Sequence, residues 1–240
     1  MLYPPTHYEK FRKSFDIMDP DSDIPTYGRR VPSRVLPTAL CIYVLEPSED
    51  LSQHNLSKFA LERSGQRFLW SIHQERAKDK HGVIDGFSNL DEILPQGFLE
   101  RTKSRGMICG WTPQVDVFAH QAIGGFISHC GWNSILESLW HGVPITTWPM
   151  YAEQQINALD MVKDLGLAVE LKLDYRRGTG ILVGADEIKK TLRNLMDKRN
   201  PVKTNVMEMK EKNRKAVVHG GSSFDSIGCF IVDILSQKLP

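Results

Sequence analysis

Residues 124–137 read GGFISHCGWNSILE and join a short apolar segment, through a single glycine, to a helix-forming segment. Residues 126–128 are typical of the end of a buried strand, because a short apolar run bounded by turn residues fits a sheet interior. Gly131 allows a tight turn or a close backbone approach at low steric cost. Asn133 and Ser134 stand where a helix begins. The stretch therefore predicts a strand, a turn and a helix in direct succession.

The predicted turn has the chemistry of an anion site. The first N–H groups of a helix lack intrahelical partners and carry partial positive charge, which favours a phosphate there. His129 precedes the turn and adds a donor. Glu137 lies three residues beyond Ser134 and shares its side of the helix, one turn from the tip. Its carboxylate is placed to accept hydrogen bonds from the vicinal hydroxyls of a ribose whose phosphates lie at the tip.

The flanking residues suit the remaining parts of a nucleotide sugar. Trp111 can stack on a base and the Gln114 amide can pair with the base edge, beside a proline that favours a helix start. Residues 144–149 are predicted as another buried strand, which leads to the polar pair Glu153 and Gln154. The donors and acceptors of this pair suit sugar hydroxyls. Base, ribose, diphosphate and hexose thus each have a candidate partner.

The segment from Trp111 to Gln154 resembles the donor-binding box of the plant family-1 UDP-dependent glycosyltransferases. It has the W-x-P-Q opening, the H-C-G-W-N-S core, a glutamate three residues after that serine, then G-V-P, W-P and a closing acidic-Gln pair, all in register. The resemblance implies an α/β fold, with a Rossmann-like parallel sheet covered by helices on both faces, as in the C-terminal domain of a GT-B type glycosyltransferase.

The resemblance also implies a role for each matched residue. The candidate donor-binding residues are Trp111 and Gln114 on the uracil, Glu137 on the ribose, His129, Asn133 and Ser134 on the diphosphate at the Gly131 turn, and Trp132, Glu153 and Gln154 around the sugar. In the family, a glutamine at the position of Gln154 is associated with glucose as the donor sugar.

The implied reaction is transfer of glucose from UDP-glucose to a hydroxyl of a small lipophilic acceptor, such as a flavonoid or another phenolic, with inversion at the anomeric carbon. UDP-glucose is expected as donor substrate, with no separate cofactor and no metal. The family takes the acceptor proton with a His paired with an Asp in its N-terminal half. Neither is found here in a matching context, so no catalytic residue is assigned. The alternative is a non-catalytic UDP-sugar-binding fragment that lacks the acceptor domain and base, or one that partners a full-length homologue.

Composition excludes several other classes of protein. The net charge of +1 gives no electrostatic reason to expect nucleic acid, and 41% hydrophobic with 25% charged residues is ordinary for a globular protein. The four cysteines have neither zinc spacing nor a secreted disulfide pattern. No run of about 18 apolar residues occurs. A Walker-type GK[ST] and a G-x-G-x-x-G fingerprint are both missing, which disfavours an ATPase and an oxidoreductase. We expect a cytoplasmic protein without a membrane span, and a monomer.

Two domains of unequal size are expected. Residues 1–38 carry six of the 13 prolines and are predicted to be an irregular arm, a remnant of the acceptor domain. Residues 39–240 are predicted to form the UDP-sugar donor-binding domain. Segments of the arm resemble a loop of the family's acceptor half, so the chain is interpreted as a shortened member.

The family's first strand ends in a Gly-Ser turn near the phosphates, whereas residues 45–50 here read LEPSED, whose carboxylates would repel a diphosphate.

Periodicity and turn residues predict the elements of the donor domain. The expected strands are 39–45, 67–72, 106–110, 126–128, 144–149 and 168–173. The expected helices are 51–64, 94–99, 115–120, 156–165, 185–196, 202–218 and 224–235.

Overall fold

A parallel sheet forms the centre of the structure, which is a computed structural model. Its strands are β1 (Ala39–Val44), β2 (Arg67–Ile72), β3 (Gly106–Cys109), β4 (Ile123–Ser128), β5 (Ile145–Thr147) and β6 (Ala168–Glu170). They lie in the order β3-β2-β1-β4-β5-β6, and every neighbouring pair is parallel. The order reverses between β1 and β4. Open α/β sheets bind ligands at such a reversal, beyond the carboxyl ends of the strands.

Helices connect the strands and cover the sheet. They are α1 (Phe98–Thr102), α2 (Gln114–Ala119), α3 (Trp132–His141), α4 (Gln154–Leu159), α5 (Ala185–Met196), α6 (Pro201–Ala216) and α7 (Ser222–Ser236). Residues 60–64 are also helical. α4 continues directly into a π-helical segment, Asp160–Asp164.

Helices bury both faces of the sheet. Successive side chains of a strand point to opposite faces, so neighbouring residues of one strand pack in different cores. Leu69 packs in one core with residues of α2, α3, α4 and α6. Phe68 and Trp70, its neighbours on β2, pack in a second core with residues of α1 and α5. Phe126 and Ile127 of β4 divide between the same two cores. The expected α/β class, with helices on both faces of a parallel sheet, is therefore confirmed.

The structure describes residues 39–44, 60–72, 94–109, 113–174 and 183–236. The predicted arm 1–38, the LEPSED segment, the first part of the predicted helix 51–64 and Trp111 lie outside these residues. Among the described helices, none combines the length with the apolar composition that a bilayer crossing requires.

Element boundaries differ from the expectations mainly at helix starts. α4 begins at Gln154, two residues before the expected start, so Gln154 belongs to a helix and not to the loop after β5. α6 begins at Pro201, because Asn200 caps it and proline is tolerated in the first helical turn. β5 and β6 are shorter than expected, with three residues each.

Candidate functional site

The candidate residues gather where two neighbouring strands end. β4 ends at Ser128 and is followed by residues 129–131 and then α3. β5 ends at Thr147, and residues 148–153 lead from it into α4. Because β4 and β5 are parallel neighbours, both connections lie at the same edge of the sheet. The Trp148 N–H donates to the Ser128 carbonyl at 2.8 Å, which ties the two connections together.

The turn after β4 has its left-handed residue at Cys130, not at the glycine. Cys130 has φ 65°, whereas Gly131 has φ −65° and ψ 138° and is the N-cap of α3. Glycine at 131 leaves room for the His129 ring, because a Cβ there would lie 2.3 Å from Nε2 of His129. Of the two reasons offered by the sequence for Gly131, close approach is the one that applies.

His129 packs over the turn with one ring nitrogen shielded from solvent. Its Nδ1 is buried and has no hydrogen-bond partner among the described residues. Burial lowers the pKa of His129 below its usual 6.5, and the nearby Glu153 carboxylate opposes this only in part. The imidazole is therefore neutral at neutral pH and keeps one N–H donor. Glu153 and His129, 24 positions apart in the sequence, are near enough to interact.

The N-terminus of α3 is open. No side chain caps it, and Trp132 and Asn133 are exposed, with Trp132 53% accessible. The early N–H groups of a helix have no intrahelical acceptor, so they remain available to an external one. Ile135, the next residue but one, is buried in the core and anchors the helix there.

Three predicted residues form one hydrogen-bonded cluster, which we call the Gln114 cluster: Gln114, Ser134 and Glu137. Gln114 is the first residue of α2, and its Nε2 donates to Ser134 Oγ at 3.0 Å and to Glu137 Oε2 at 2.7 Å. All three are buried or half-buried. The sequence predicted that Ser134 and Glu137 share a helix face, but gave no signal that α2 would join them.

Gln154 is turned inward. Only 2% of it is exposed, and its Oε1 accepts hydrogen bonds from the N–H groups of Met150 at 2.9 Å and Tyr151 at 3.2 Å. Its acceptor therefore shapes the loop before α4. Glu153, the residue before it, is exposed at the N-cap position of α4.

Two residues near the turn were not predicted as part of the site. Cys130 is fully buried, and burial raises the pKa of its thiol to about 12, so the thiol is unreactive. Asn157 on α4 donates from Nδ2 to the Cys130 carbonyl at 2.9 Å. Its position three residues after the box, in a helical segment, carries no signal of this contact. Among the described residues, no group of His, Cys, Asp and Glu side chains has an arrangement that could hold a metal ion.

Comparison with known proteins gives a consistent result. Residues 45–215 match the family model described as UDP-glucoronosyl and UDP-glucosyl transferase. The chain is 59% identical over 180 residues to UDP-glycosyltransferase 71K1 of Malus domestica, a match that covers 74% of this chain and 37% of the relative. It is 54% identical over 177 residues to anthocyanidin 3-O-glucosyltransferase 2 of Manihot esculenta, covering 74% of this chain and 51% of the relative.

Among solved structures, Medicago truncatula UGT71G1 complexed with UDP-glucose is 43% identical with a TM-score of 0.74. The match covers 97% of this chain and 44% of that one. The chain thus spans about half or less of the length of the relatives that it matches.

Proposed function

The chain belongs to the UDP-glucoronosyl and UDP-glucosyl transferase family, and on this premise we propose that it binds UDP-glucose beyond the carboxyl ends of β4 and β5. Family membership confirms the resemblance predicted from the sequence, and the GT-B type fold is confirmed by the solved relatives. The proposed reaction is transfer of glucose to a hydroxyl of a small lipophilic acceptor. Residues 39–240 would supply the donor-binding domain, and residues 1–38 a remnant of the acceptor domain.

The observation that carries the proposal is the Gln114 cluster beside the open N-terminus of α3. Both N–H donors of the Gln114 amide are used within the protein, so its carbonyl oxygen is the group left to meet a uracil N–H. Glu137 accepts from Gln114 with one carboxylate oxygen and keeps the other for ribose hydroxyls. The cluster therefore offers a fixed set of acceptors within the first two turns of α3.

The diphosphate is proposed to lie at the tip itself. The open N–H groups of α3, together with Asn133, Ser134 and His129, would stabilise the negative charge that grows on the leaving UDP. A neutral His129 contributes as a hydrogen-bond donor. Trp132 and Glu153, both exposed, would hold the glucose for in-line attack together with Gln154, which acts by fixing the loop that carries Glu153. Trp111 is proposed to stack on the uracil.

The acceptor is proposed to be a phenolic such as a flavonoid, since one relative is named as an anthocyanidin 3-O-glucosyltransferase. The cytoplasmic location and the monomeric state expected from the sequence stay predictions.

The sequence leaves one alternative function open, because no His–Asp base pair was found in a context that matches the family. Under this alternative the chain binds UDP-sugars without catalysing transfer. An assay of the purified chain with labelled UDP-glucose and a phenolic acceptor distinguishes the two functions. Formation of a glucoside without any added subunit supports the enzyme, whereas binding without transfer supports the binding module.

Calorimetric titration with UDP and UDP-glucose tests the donor site directly. We expect Glu137→Ala to weaken both affinities by roughly 10- to 100-fold, the usual effect of losing hydrogen bonds to a charged group. Glu208→Ala, which removes an exposed carboxylate from α6, is the matched control and should bind like the wild type. Equal affinities for the wild type and Glu137→Ala would remove the ribose assignment, and a wild type that binds neither ligand would refute the proposed function.

A further inference from the structure

The turn after β4 contains a residue in an unfavourable backbone conformation. Cys130 has φ 65°, a left-handed value that residues other than glycine rarely adopt, because their Cβ then crowds the backbone. Such a conformation persists only where neighbouring groups enforce it. The contacts of Cys130 should therefore show what controls the shape of the turn.

Contacts from β4, α3 and α4 hold Cys130 in this conformation. The Cys130 N–H donates to Ser128 Oγ at 3.0 Å, which closes the turn locally. The Cys130 side chain is fully buried in the core with Phe126 and Ile135. The Cys130 carbonyl accepts from Nδ2 of Asn157 at 2.9 Å. The first two contacts belong to β4 and α3, whereas the third comes from α4, 27 positions along the chain.

The third contact controls where the backbone donors point. The peptide bond between Cys130 and Gly131 is trans and planar, so its carbonyl and its N–H point in opposite directions. When Asn157 holds the carbonyl, the Gly131 N–H is held facing away from Asn157. Gly131 is also the N-cap of α3, so the same peptide plane sets how the helix starts and where its open N–H groups are presented.

We propose that Asn157 is a positioning residue for the diphosphate of the nucleotide sugar, an inference that rests on the proposed function. It touches no ligand and acts through the Cys130 carbonyl. It also lies on the helix that begins at Gln154, so a single side chain links the phosphate side of the site to the sugar side. The Gln114 cluster lies on α2 and α3 and includes neither Asn157 nor Cys130, and the buried Ile135 anchors the part of α3 that carries it in the core.

This separation gives the proposal a specific signature. Asn157→Asp keeps the shape of the side chain but replaces the donor with an oxygen that repels the Cys130 carbonyl. The turn should then lose its geometry while the nucleoside contacts remain. We expect the Kd of UDP to rise by about tenfold or more and the Kd of uridine to stay within about twofold of the wild type. Calorimetric titration measures the Kd of UDP, and competition of uridine with bound UDP measures the Kd of uridine.

Asn205 offers a matched control. Its Nδ2 donates at 3.0 Å to the carbonyl of Gly166, another residue with a left-handed φ, in a loop on the far side of α4 and its π-helical extension. Asn205→Asp removes the same kind of bond and should leave both affinities unchanged. Asn157→Ala removes the donor without adding an oxygen or a negative charge, so it is measured alongside the aspartate variant.

The outcomes distinguish this proposal from the function beneath it. A rise in the Kd of UDP alone, in Asn157→Ala as well as in Asn157→Asp, supports the positioning role, whereas a rise in the aspartate variant only would be charge repulsion and would overturn it. Equal losses for UDP and uridine would indicate a general structural role and overturn it, as would unchanged affinities in both Asn157 variants. A wild type that binds neither UDP nor uridine would overturn the proposed function itself, and the inference with it.

Discussion

His129 shows how the surroundings of one residue set its charge. Its ring lies over Gly131 with Nδ1 buried, and burial lowers its pKa more than the Glu153 carboxylate raises it. A charged imidazole would attract a diphosphate more strongly than a neutral one. The fold instead keeps this histidine neutral at neutral pH, so its contribution is a directed hydrogen bond and not a net charge.

The lowered pKa of His129 predicts a loss of stability in mild acid. Below pH 6.5 the unfolded chain takes up a proton on this residue, whereas the folded chain resists it until the pH falls further. The free energy of unfolding should therefore fall as the pH drops from about 6.5 towards the folded pKa, and then level off. Urea unfolding of the wild type and of His129→Gln, at about five pH values from roughly 7.5 to 5, gives the free energy of unfolding as a function of pH. The slope of this dependence should be smaller for His129→Gln than for the wild type.

His141 is the control for this measurement, because burial and the neighbouring Arg214 and Lys210 lower its pKa too. His141→Gln should remove a separate part of the pH dependence. If His129→Gln has the same slope as the wild type, the buried state of His129 is contradicted.

At the scale of elements, the start of α6 depends on one side chain. Asn200 Oδ1 accepts from the Val202 N–H at 2.9 Å, while its Nδ2 donates to the Asn194 carbonyl at 2.9 Å. Pro201 follows in the first helical turn, where its missing N–H costs nothing. Asn200 thus caps α6 and ties it to the end of α5. Val206 of α6 in turn is fully buried in the core beneath α3 and α4.

Removal of this cap should destabilise the domain. We expect Asn200→Ala to lower the free energy of unfolding by about 1–2 kcal/mol, measured by urea titration, because a buried cap and its second hydrogen bond are lost together. Asn200→Ser keeps an acceptor for the Val202 N–H and places no second oxygen against the Asn194 carbonyl, so it should cost less. A smaller effect for the alanine variant than for the serine variant would show that the cap does not stabilise α6.

At the scale of the whole molecule, α7 differs from the other helices. None of its residues is buried, and several large apolar side chains are exposed, Phe230 to 64%. The described residues therefore leave this helix largely uncovered. The core lies elsewhere, in the two clusters on either face of the sheet.

Substitutions of two phenylalanines should reveal this contrast. Phe230→Ala is expected to change the free energy of unfolding by less than about 0.5 kcal/mol, because an exposed side chain loses little contact. Phe126→Ala, which removes a fully buried ring that packs against Phe118, is expected to cost about 3–5 kcal/mol. Urea unfolding measures both. Equal losses would mean that α7 is covered in solution.

The sequence by itself determined the local features of this protein. The strand, turn and helix around Gly131 could be predicted because short-range patterns of apolar and capping residues encode them. The family resemblance implied the α/β class, and helical spacing placed Ser134 and Glu137 on one face. Motif spacing alone carried the family resemblance.

Only the tertiary structure decided how distant parts meet. The Gln114 amide reaches Glu137 across 23 positions, and the Asn157 amide reaches Cys130 across 27. The inward turn of Gln154 and the left-handed conformation of Cys130 also depend on surrounding contacts. Neighbouring residues do not encode these features, because the order of strands in the sheet and the packing of helices on it determine which side chains come within hydrogen-bond distance.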